Sequence, residues 1–179
     1  KWIEVDVKTT KDNIPFLLHD DLLDRTTSGK GFPYEYTYKE ISSFDAGSWF
    51  DKKFINAHTP SLEEALNICS KNRVGLNIEL KPNKGKEKEN VDSVSSLINN
   101  NIFNCQYFFS SFCYDSLELL KKKISNVHIG YLVDNIEKNK NILSIIKKCL
   151  KLKCFSIGFN LKLIDQELVQ ICKKNELNI

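Results

Sequence analysis

The sequence predicts an α/β fold with a parallel sheet, and two patterns support that prediction. After Pro60, short apolar runs that suit buried strands alternate with amphipathic stretches of helical length. Strand, helix and strand repeated at this spacing predict parallel strands joined by right-handed crossovers. Polar residues also collect at the carboxyl ends of the predicted strands, which favours a (β/α)8 TIM barrel. No Gly-x-Gly-x-x-Gly follows a strand, so a dinucleotide-binding fold has no support.

The first predicted element is a hairpin. In residues 2–7, aliphatic side chains alternate with Glu4 and Asp6, which is the period-two pattern of a strand. A second apolar run, 14–18, ends at His19, with a polar turn between the two runs. The runs are too close in sequence for a parallel crossover, so they can pair only as a hairpin. Folding back brings His19 toward two acids that lie roughly 6–7 Å apart along one strand face.

The next segment, residues 20–58, has no sustained periodicity apart from one possible short helix at 37–43. A stretch of this length inside a compact domain indicates a functional loop or a small cap. Its aromatic residues indicate that it packs against other parts of the molecule. We therefore predict that the chain is one domain, in which this segment is a functional loop or a small cap.

The regular part of the chain begins at Ser61. Ser61 and Glu64 form a capping box for a helix that runs to about Asn72. Strands are predicted at 74–81, 107–110, 127–133 and 154–159, with a last one starting at Leu177; helices are predicted at 91–99, 114–123, 141–150 and 165–175.

Composition suits one ordinary domain and excludes several functional classes. The chain has 179 residues, of which 41% are hydrophobic and 27% charged. No apolar run approaches the roughly 20 residues of a membrane span, and the start lacks the pattern of a signal peptide. A net charge of +3 is too mild to predict binding of nucleic acid. The six cysteines include no Cys-x-x-Cys pair, so we expect reduced thiols in a cytoplasmic protein.

The second informative strand carries Glu79. Asn77, Glu79 and Lys81 share one face at the carboxyl end of their strand, which is the active-site end of a barrel. Glu4, Asp6 and Glu79 are therefore expected at one mouth, where three carboxylates repel unless a cation lies among them. Oxygen ligands alone fit Ca²⁺ or Mg²⁺ better than zinc. Lys81 could contact an anionic substrate, neutralise Glu79, or do both.

Three histidines are candidates for acid/base chemistry. His19 is favoured because an ordinary histidine pKa of about 6.5 allows it to carry a proton either way near neutrality. Its neighbour Asp20 needs no role beyond capping a turn. His58 lies in a loop before Pro60, and His128 lies at the amino end of a strand, so both have weaker claims.

Further short motifs follow one another in a recognisable order. They are Ile3-Glu4-Val5-Asp6-Val7, Thr10-x-Asp12, His19-Asp20, Arg25-Thr26-Thr27-x-Gly29, Asp45-Ala46-Gly47-x-Trp49-Phe50, Thr59-Pro60-Ser61-Leu62-Glu63-Glu64-Ala65-Leu66, Asn77-Ile78-Glu79-Leu80-Lys81 and Ser110-Ser111-Phe112. In this order the sequence resembles the glycerophosphodiester phosphodiesterase family. The resemblance covers most of the chain and is densest from residue 2 to residue 81.

The resemblance implies one TIM-barrel domain, partial over residues 1–179, with a capping insertion at residues 20–59 over its mouth. It also implies a divalent metal held by Glu4, Asp6 and Glu79. It implies hydrolysis of small glycerophosphodiesters to glycerol 3-phosphate and an alcohol, with two histidines as acid and base. His19 matches one of these histidines. Lys81 matches the family's phosphate-contacting lysine.

Some parts of the family pattern have no counterpart here. Members begin with a strand that ends in His-Arg-Gly, which supplies the other histidine and an arginine, and they continue beyond the equivalent of Ile179. We therefore expect a barrel without its first strand and with its last strands cut, which would be inactive alone. Two alternatives stay open: an incomplete barrel that binds a phosphorylated ligand or partner without turnover, and a related barrel phospholipase that acts on lipid head groups.

Overall fold

A six-stranded sheet organises the computed structural model, which describes residues 1–135 and 142–179. The strands are β1 (Trp2–Thr9), β2 (Pro15–Leu17), β3 (Gly75–Leu80), β4 (Tyr107–Ser111), β5 (Ile129–Val133) and β6 (Ser156–Phe159). The α-helices are α1 (Tyr38–Ile41), α2 (Leu62–Asn72), α3 (Glu87–Asn100), α4 (Tyr114–Lys123), α5 (Ile142–Leu152) and α6 (Gln166–Lys174). The spatial order of the strands is β2-β1-β3-β4-β5-β6.

The predicted hairpin and the predicted parallel sheet are both observed. Strand β1 pairs antiparallel with β2, with Val7 opposite Leu17. From β1 through β3, β4 and β5 to β6, every neighbouring pair is parallel. The register of β1 with β3 places Asp6 opposite Glu79. Acids that are far apart in the chain are therefore neighbours across one pair of strands.

The main core lies between the helices and one face of the sheet. Leu76, Ile78 and Leu80 alternate along β3 on this face and are buried against apolar residues of the helices. Burial of a large aliphatic side chain contributes roughly 1.5–3 kcal/mol, so this layer stabilises the sheet. The opposite face of β3 carries Asn77 and Glu79, and it is left for the polar residues of the site.

The observed start of a helix agrees with the predicted start where a side-chain cap marks it in the sequence. The Ser61 hydroxyl accepts a hydrogen bond from the Glu64 backbone N–H, and the Glu64 carboxylate accepts one from the Ser61 N–H, so the predicted capping box is confirmed. Helix α3 begins at Glu87, one turn before the predicted 91, without a side-chain cap. Its first turn is polar, so apolar periodicity could not reveal it.

The end of the chain differs from the prediction. The strand predicted from Leu177 is reduced to one bridge, in which Asn178 pairs with Ser156. Asn141, the predicted start of the helix at 141–150, lies outside the described residues, and α5 is described from Ile142.

Residues 20–59 are mostly irregular, as predicted, and pack on the hairpin. Leu23 and Ile41 of this segment are buried in a small apolar cluster with Phe16 and Leu18. The short helix predicted at 37–43 is α1, Tyr38–Ile41. The division into one domain with 20–59 as its cap stays a prediction.

Two further observations concern composition. None of the described helices has the length and apolar character needed to cross a bilayer. All six cysteines are free thiols, and Cys69, Cys149 and Cys172 are buried in helices as their apolar positions suggested.

Candidate active site

Three carboxylates converge at the carboxyl end of β1 and β3. Glu4 and Asp6 are alternate residues on one face of β1, and Glu79 lies beside Asp6 on β3. One carboxylate oxygen from each lies within 4.8 Å of the others. The structure therefore brings together the three acids that the sequence placed at one mouth; their role as metal ligands stays a prediction.

The electrostatics of this cluster favour a bound cation. Glu79 is only 7% exposed, and its Oε1 has no hydrogen-bond partner among the described residues. Burial raises the pKa of Glu79, and repulsion from Asp6 and Glu4 adds to the effect, while Lys81 opposes it. Burial and then Asp6 raise the pKa of Glu4. A buried oxygen without a partner among hard oxygen donors fits Ca²⁺ or Mg²⁺.

Lys81 lies against the same acids. Its Nζ donates a hydrogen bond to Asp6 Oδ1 at 3.0 Å and lies 3.7 Å from Glu79 Oε1. The sequence suggested Glu79 as its partner, but the shorter contact is to Asp6 across the strand pair. The Lys81 side chain is 27% exposed, so it remains partly accessible to solvent beside the acids.

The hairpin places His19 beside the carboxylates. The Leu18 N–H donates to the Asp6 carbonyl at 3.0 Å, so His19 follows directly on the last bond between the two segments. The positive charge that His19 can carry lowers the pKa of both Glu4 and Glu79, as a minor contribution in each case. The imidazole is therefore close enough to the acids to interact with them.

Asp20 and Arg25 hold the imidazole. His19 Nδ1 lies 2.7 Å from Asp20 Oδ1, and Arg25 donates hydrogen bonds from Nε and Nη2 to the two oxygens of the same carboxylate. Hydrogen bonds from Arg25 and then from His19 hold the pKa of Asp20 far below its ordinary value. Asp20 thus has a larger part than a turn cap. With Nδ1 engaged, Nε2 is the ring nitrogen left for proton transfer.

A cleft of about 390 Å³ lies between the hairpin and residues 20–59. Asp6 and His19 are among its polar lining residues, and Leu18, Trp49 and Pro60 contribute to its apolar walls. The Trp49 side chain is half exposed, and the Arg25 guanidinium lies 5.8 Å from the centre of its ring. The cleft is thus open to a small ligand that combines a polar and an apolar part.

The two other histidines lie in different surroundings. His58 borders the same cleft, with Nε2 3.3 Å from Glu64 Oε1. His128 immediately precedes β5, at the amino end of the sheet, with its ring centre 5.8 Å from that of Phe155. Neither forms a described contact with the three acids.

Sequence reasoning missed Arg25 and Lys8 as parts of this region. Arg25 was noted only as part of a turn motif, although its position five residues after Asp20 suits a local ion pair. Lys8 follows Glu4 and Asp6 on the same strand face, and the alternation could have placed it there. Burial lowers the pKa of Lys8, and a hydrogen bond with Asp21 opposes that effect.

Comparison with known proteins identifies the family of the chain. Residues 1–179 match the model of the Glycerophosphoryl diester phosphodiesterase family. The chain belongs to this family. A glycerophosphodiester phosphodiesterase of Caldanaerobacter subterraneus is 31% identical over 184 residues, which cover 99% of this chain and 71% of that protein. The glycerophosphodiester phosphodiesterase of Bacillus subtilis is 28% identical over 192 residues, which cover 98% of this chain and 64% of that protein.

Solved structures agree with the family and establish the barrel fold. A phosphodiesterase of Oleispira antarctica, solved in complex with the product sn-glycerol-3-phosphate, superposes with a TM-score of 0.89 at 31% identity, over 99% of this chain and 70% of that one. A glycerophosphodiester phosphodiesterase of Agrobacterium tumefaciens superposes with a TM-score of 0.75 at 25% identity, over 98% and 71% of the two chains. The predicted fold, part of a TIM barrel, is confirmed. The chain spans about half of the Bacillus subtilis family relative YhdW (49%) and 71% of the Caldanaerobacter protein.

Proposed function

We propose that this chain carries part of the active site of a hydrolase that cleaves glycerophosphodiesters to glycerol 3-phosphate and an alcohol. The observation that carries the proposal is the meeting of three carboxylates within 4.8 Å, with Lys81 and His19 beside them. Membership of the family supports the reaction class. The Oleispira enzyme, whose structure holds sn-glycerol-3-phosphate, supports a small-molecule substrate.

The proposed cofactor is Ca²⁺ or Mg²⁺, held by Glu4, Asp6 and Glu79. When bound, such an ion polarises a phosphoryl oxygen and stabilises negative charge that develops on the phosphate. The buried Glu79 oxygen without a hydrogen-bond partner supports this assignment, because an unpaired buried acceptor carries a desolvation penalty.

The remaining roles belong to side chains around the acids. Lys81 is proposed to bind the substrate phosphate, since its ammonium contacts Asp6 of the acid cluster, its side chain is partly exposed, and a positive charge there would offset that of the phosphate. His19 Nε2 is proposed to give or take the proton of the departing or attacking oxygen. Asp20 and Arg25 orient the ring and keep a negative charge beside Nδ1, which favours the tautomer with its proton on Nδ1.

The decisive experiment replaces His19 in the full-length protein. His19→Ala should lower turnover of glycerophosphocholine at least 100-fold, because a positioned acid/base group contributes about 10²–10⁴-fold. The affinity for Ca²⁺, measured by calorimetry, should equal that of the wild type. His128→Ala is the matched control, since this residue lies at the other end of the sheet. Unchanged turnover in His19→Ala would remove His19 from the proposed mechanism.

The metal assignment has its own test. Glu79→Gln keeps the shape of the side chain but removes its charge, and it should weaken Ca²⁺ or Mg²⁺ binding at least tenfold, about 1.4 kcal/mol. Glu63→Gln, on the exposed face of α2, is the control. Equal affinity in Glu79→Gln and the wild type would show that Glu79 is no ligand.

A phospholipase that acts on lipid head groups is the second candidate, and one observation favours it. Trp49 and Phe50 are 52% and 70% exposed on the insertion, and exposed aromatic side chains suit contact with a membrane interface. Co-sedimentation with liposomes would separate the two: a soluble-substrate enzyme stays in the supernatant. Binding of glycerophosphocholine without any turnover would instead favour the non-catalytic barrel.

We also propose a cytoplasmic location. The support is the set of six free cysteines, four of them buried, since thiols stay reduced in that compartment. Fractionation of cells that express the full-length protein would test it.

A further inference from the structure

A fully buried lysine lies next to the proposed site and has no part in the proposed chemistry. Lys8 is on β1, on the same face as Glu4 and Asp6, and its exposed fraction is 0%. Lysine is almost never fully buried unless its ammonium is paired, because desolvation of an unpaired charge is costly. The partners of Lys8 therefore indicate why it is there.

Those partners belong to two different segments. Lys8 Nζ donates hydrogen bonds to Asp21 Oδ1 and to the Lys81 carbonyl, each at 3.0 Å. Asn83 Nδ2 donates to the Asp21 carbonyl at 2.9 Å and lies 3.3 Å from Asp21 Oδ1. We call Lys8, Asp21 and Asn83 the loop clamp. It ties the loop that follows the hairpin to the end of β3.

The loop clamp acts on the residues that follow His19. Strand β2 ends at Leu17, and Leu18 forms the last backbone bond to β1, so His19 is not held by the sheet ladder. Asp21 lies two residues later. Lys8 donates a hydrogen bond to its carboxylate, and Asn83 donates one to its carbonyl. The three acids, in contrast, are positioned by the pairing of β1 with β3. Thus the acids and the imidazole depend on different contacts.

We propose that Lys8 is a positioning residue for His19: through Asp21 it fixes the 19–21 loop over the carboxylates. This inference rests on the proposed function, because it assigns a purpose to the place of the imidazole. Lys8 touches no reacting atom in this account. A misplacement of a catalytic group by about 1 Å can cost about 100-fold in rate, so a loop anchor of this kind can matter to turnover.

The test uses Lys8→Met in the full-length protein, which removes the ammonium but keeps an unbranched stem. The kcat for glycerophosphocholine should fall about tenfold or more, with Ca²⁺ affinity within about twofold of wild type. The ¹⁵N signals of the His19 imidazole should also change, because the ring loses its single position against Asp20. Lys88→Met is the matched control: Lys88 pairs with Asp92 at 2.7 Å on the exposed face of α3 and should alter none of the three readouts.

A second variant keeps the test decisive where Lys8→Met does not fold. Asn83→Ala leaves the Lys8–Asp21 pair in place and removes only the hydrogen bonds from Asn83 to Asp21. The fall in kcat and the change in the His19 ¹⁵N signals should therefore be smaller than in Lys8→Met. Unchanged His19 signals in the variant that folds would overturn the proposal. So would a loss of Ca²⁺ affinity that matches the loss of kcat, because Lys8 would then act on the acids. Failure of the proposed function is a separate result, namely full turnover in His19→Ala.

Discussion

The two ends of one sheet face differ sharply in chemistry. At the amino end, the ring of Trp2 lies 5.5 Å from that of Phe108, which lies 5.0 Å from that of Phe155. Two residues further along β1, the same face carries Glu4 and then Asp6, which repel each other and Glu79. The aromatic end gains from contact between its rings, whereas repulsion and burial of the carboxylates at the acidic end are only partly offset by Lys81.

The contrast shows how a barrel separates stability from function along each strand. In a TIM barrel the amino ends of the strands support stability, whereas the carboxyl ends carry the functional side chains. Active sites commonly hold groups that lower stability, and they are tolerated when the rest of the fold compensates. Four changes should break or sharpen this difference.

The largest expected effect is that of the cation on stability. At a Ca²⁺ concentration of about 100 times Kd, the free energy of unfolding should rise by about 2.7 kcal/mol, because the ion binds only the folded site. Urea unfolding with and without Ca²⁺ measures this, and excess chelator should reverse it. Glu79→Gln, with at least tenfold weaker binding, should lose about half of the gain or more; an equal gain in that variant would place the ion elsewhere.

The next effect concerns the aromatic end. Gly75 lies under Trp2, and a Cβ at this position would come within 2.5–2.6 Å of the Trp2 ring. Gly75→Ala should therefore destabilise the protein by about 2 kcal/mol in urea unfolding, as overpacked sites do, and leave Ca²⁺ affinity unchanged.

Trp2→Ala provides the matched background for this change. With the ring removed, Gly75→Ala should cost much less, so the two substitutions should be clearly non-additive. Additive losses would show that Trp2 is not what Gly75 accommodates.

A smaller effect is expected where Arg25 supports the imidazole. Arg25→Gln removes the charge that anchors Asp20 and should lower turnover about tenfold, or about 1.4 kcal/mol in the barrier. Steady-state kinetics with glycerophosphocholine measures it. Arg73→Gln, on the exposed end of α2, is the control, and equal kinetics in both variants would remove Arg25 from the orienting role.

The smallest expected effect is a gain in the free energy of unfolding, whereas most substitutions lower it. Without a divalent ion at neutral pH, Glu79→Gln should stabilise the protein by about 1 kcal/mol, because it removes a buried charge. The raised pKa of Glu79 means that the wild type keeps its full stability below the ordinary value of 4.5 and loses some as pH rises through the raised value. The advantage of the variant should therefore vanish near pH 4; an equal advantage at both pH values would exclude ionisation as its cause.

Short-range patterns predicted the parts of the fold that local sequence determines. The alternation in residues 2–7 identified the face that carries Glu4 and Asp6, and the capping box identified the start of α2. The hairpin followed from the short distance between its two runs. Each of these features depends on residues within a few positions of one another.

What the sequence did not reveal are contacts between distant segments. The predicted charge pair of Lys81 with Glu79 is observed at 3.7 Å, but local patterns did not show the shorter contact of Lys81 with Asp6 across the sheet. Lys8 was missed: strand alternation could have placed it on the face of the acids, but its contacts with Asp21 and with the carbonyl of Lys81 leave no local pattern in the sequence. Strand register and the length of the side chains determine such contacts, and neither can be read from the hydrophobic periodicity of a single segment.

The hydrogen bond between Lys81 and Asp6 closes a segment of 75 residues. During synthesis, the ribosome releases positions 4 and 6 well before position 79, so the nascent chain first holds an incomplete set of acids. Under the proposed assignment of these acids as metal ligands, an ion binds only after this long loop has closed, and the entropic penalty of closure grows with the logarithm of the loop length. The luminescence of a lanthanide ion bound to the three acids would therefore report when strands β1 and β3 pair during folding.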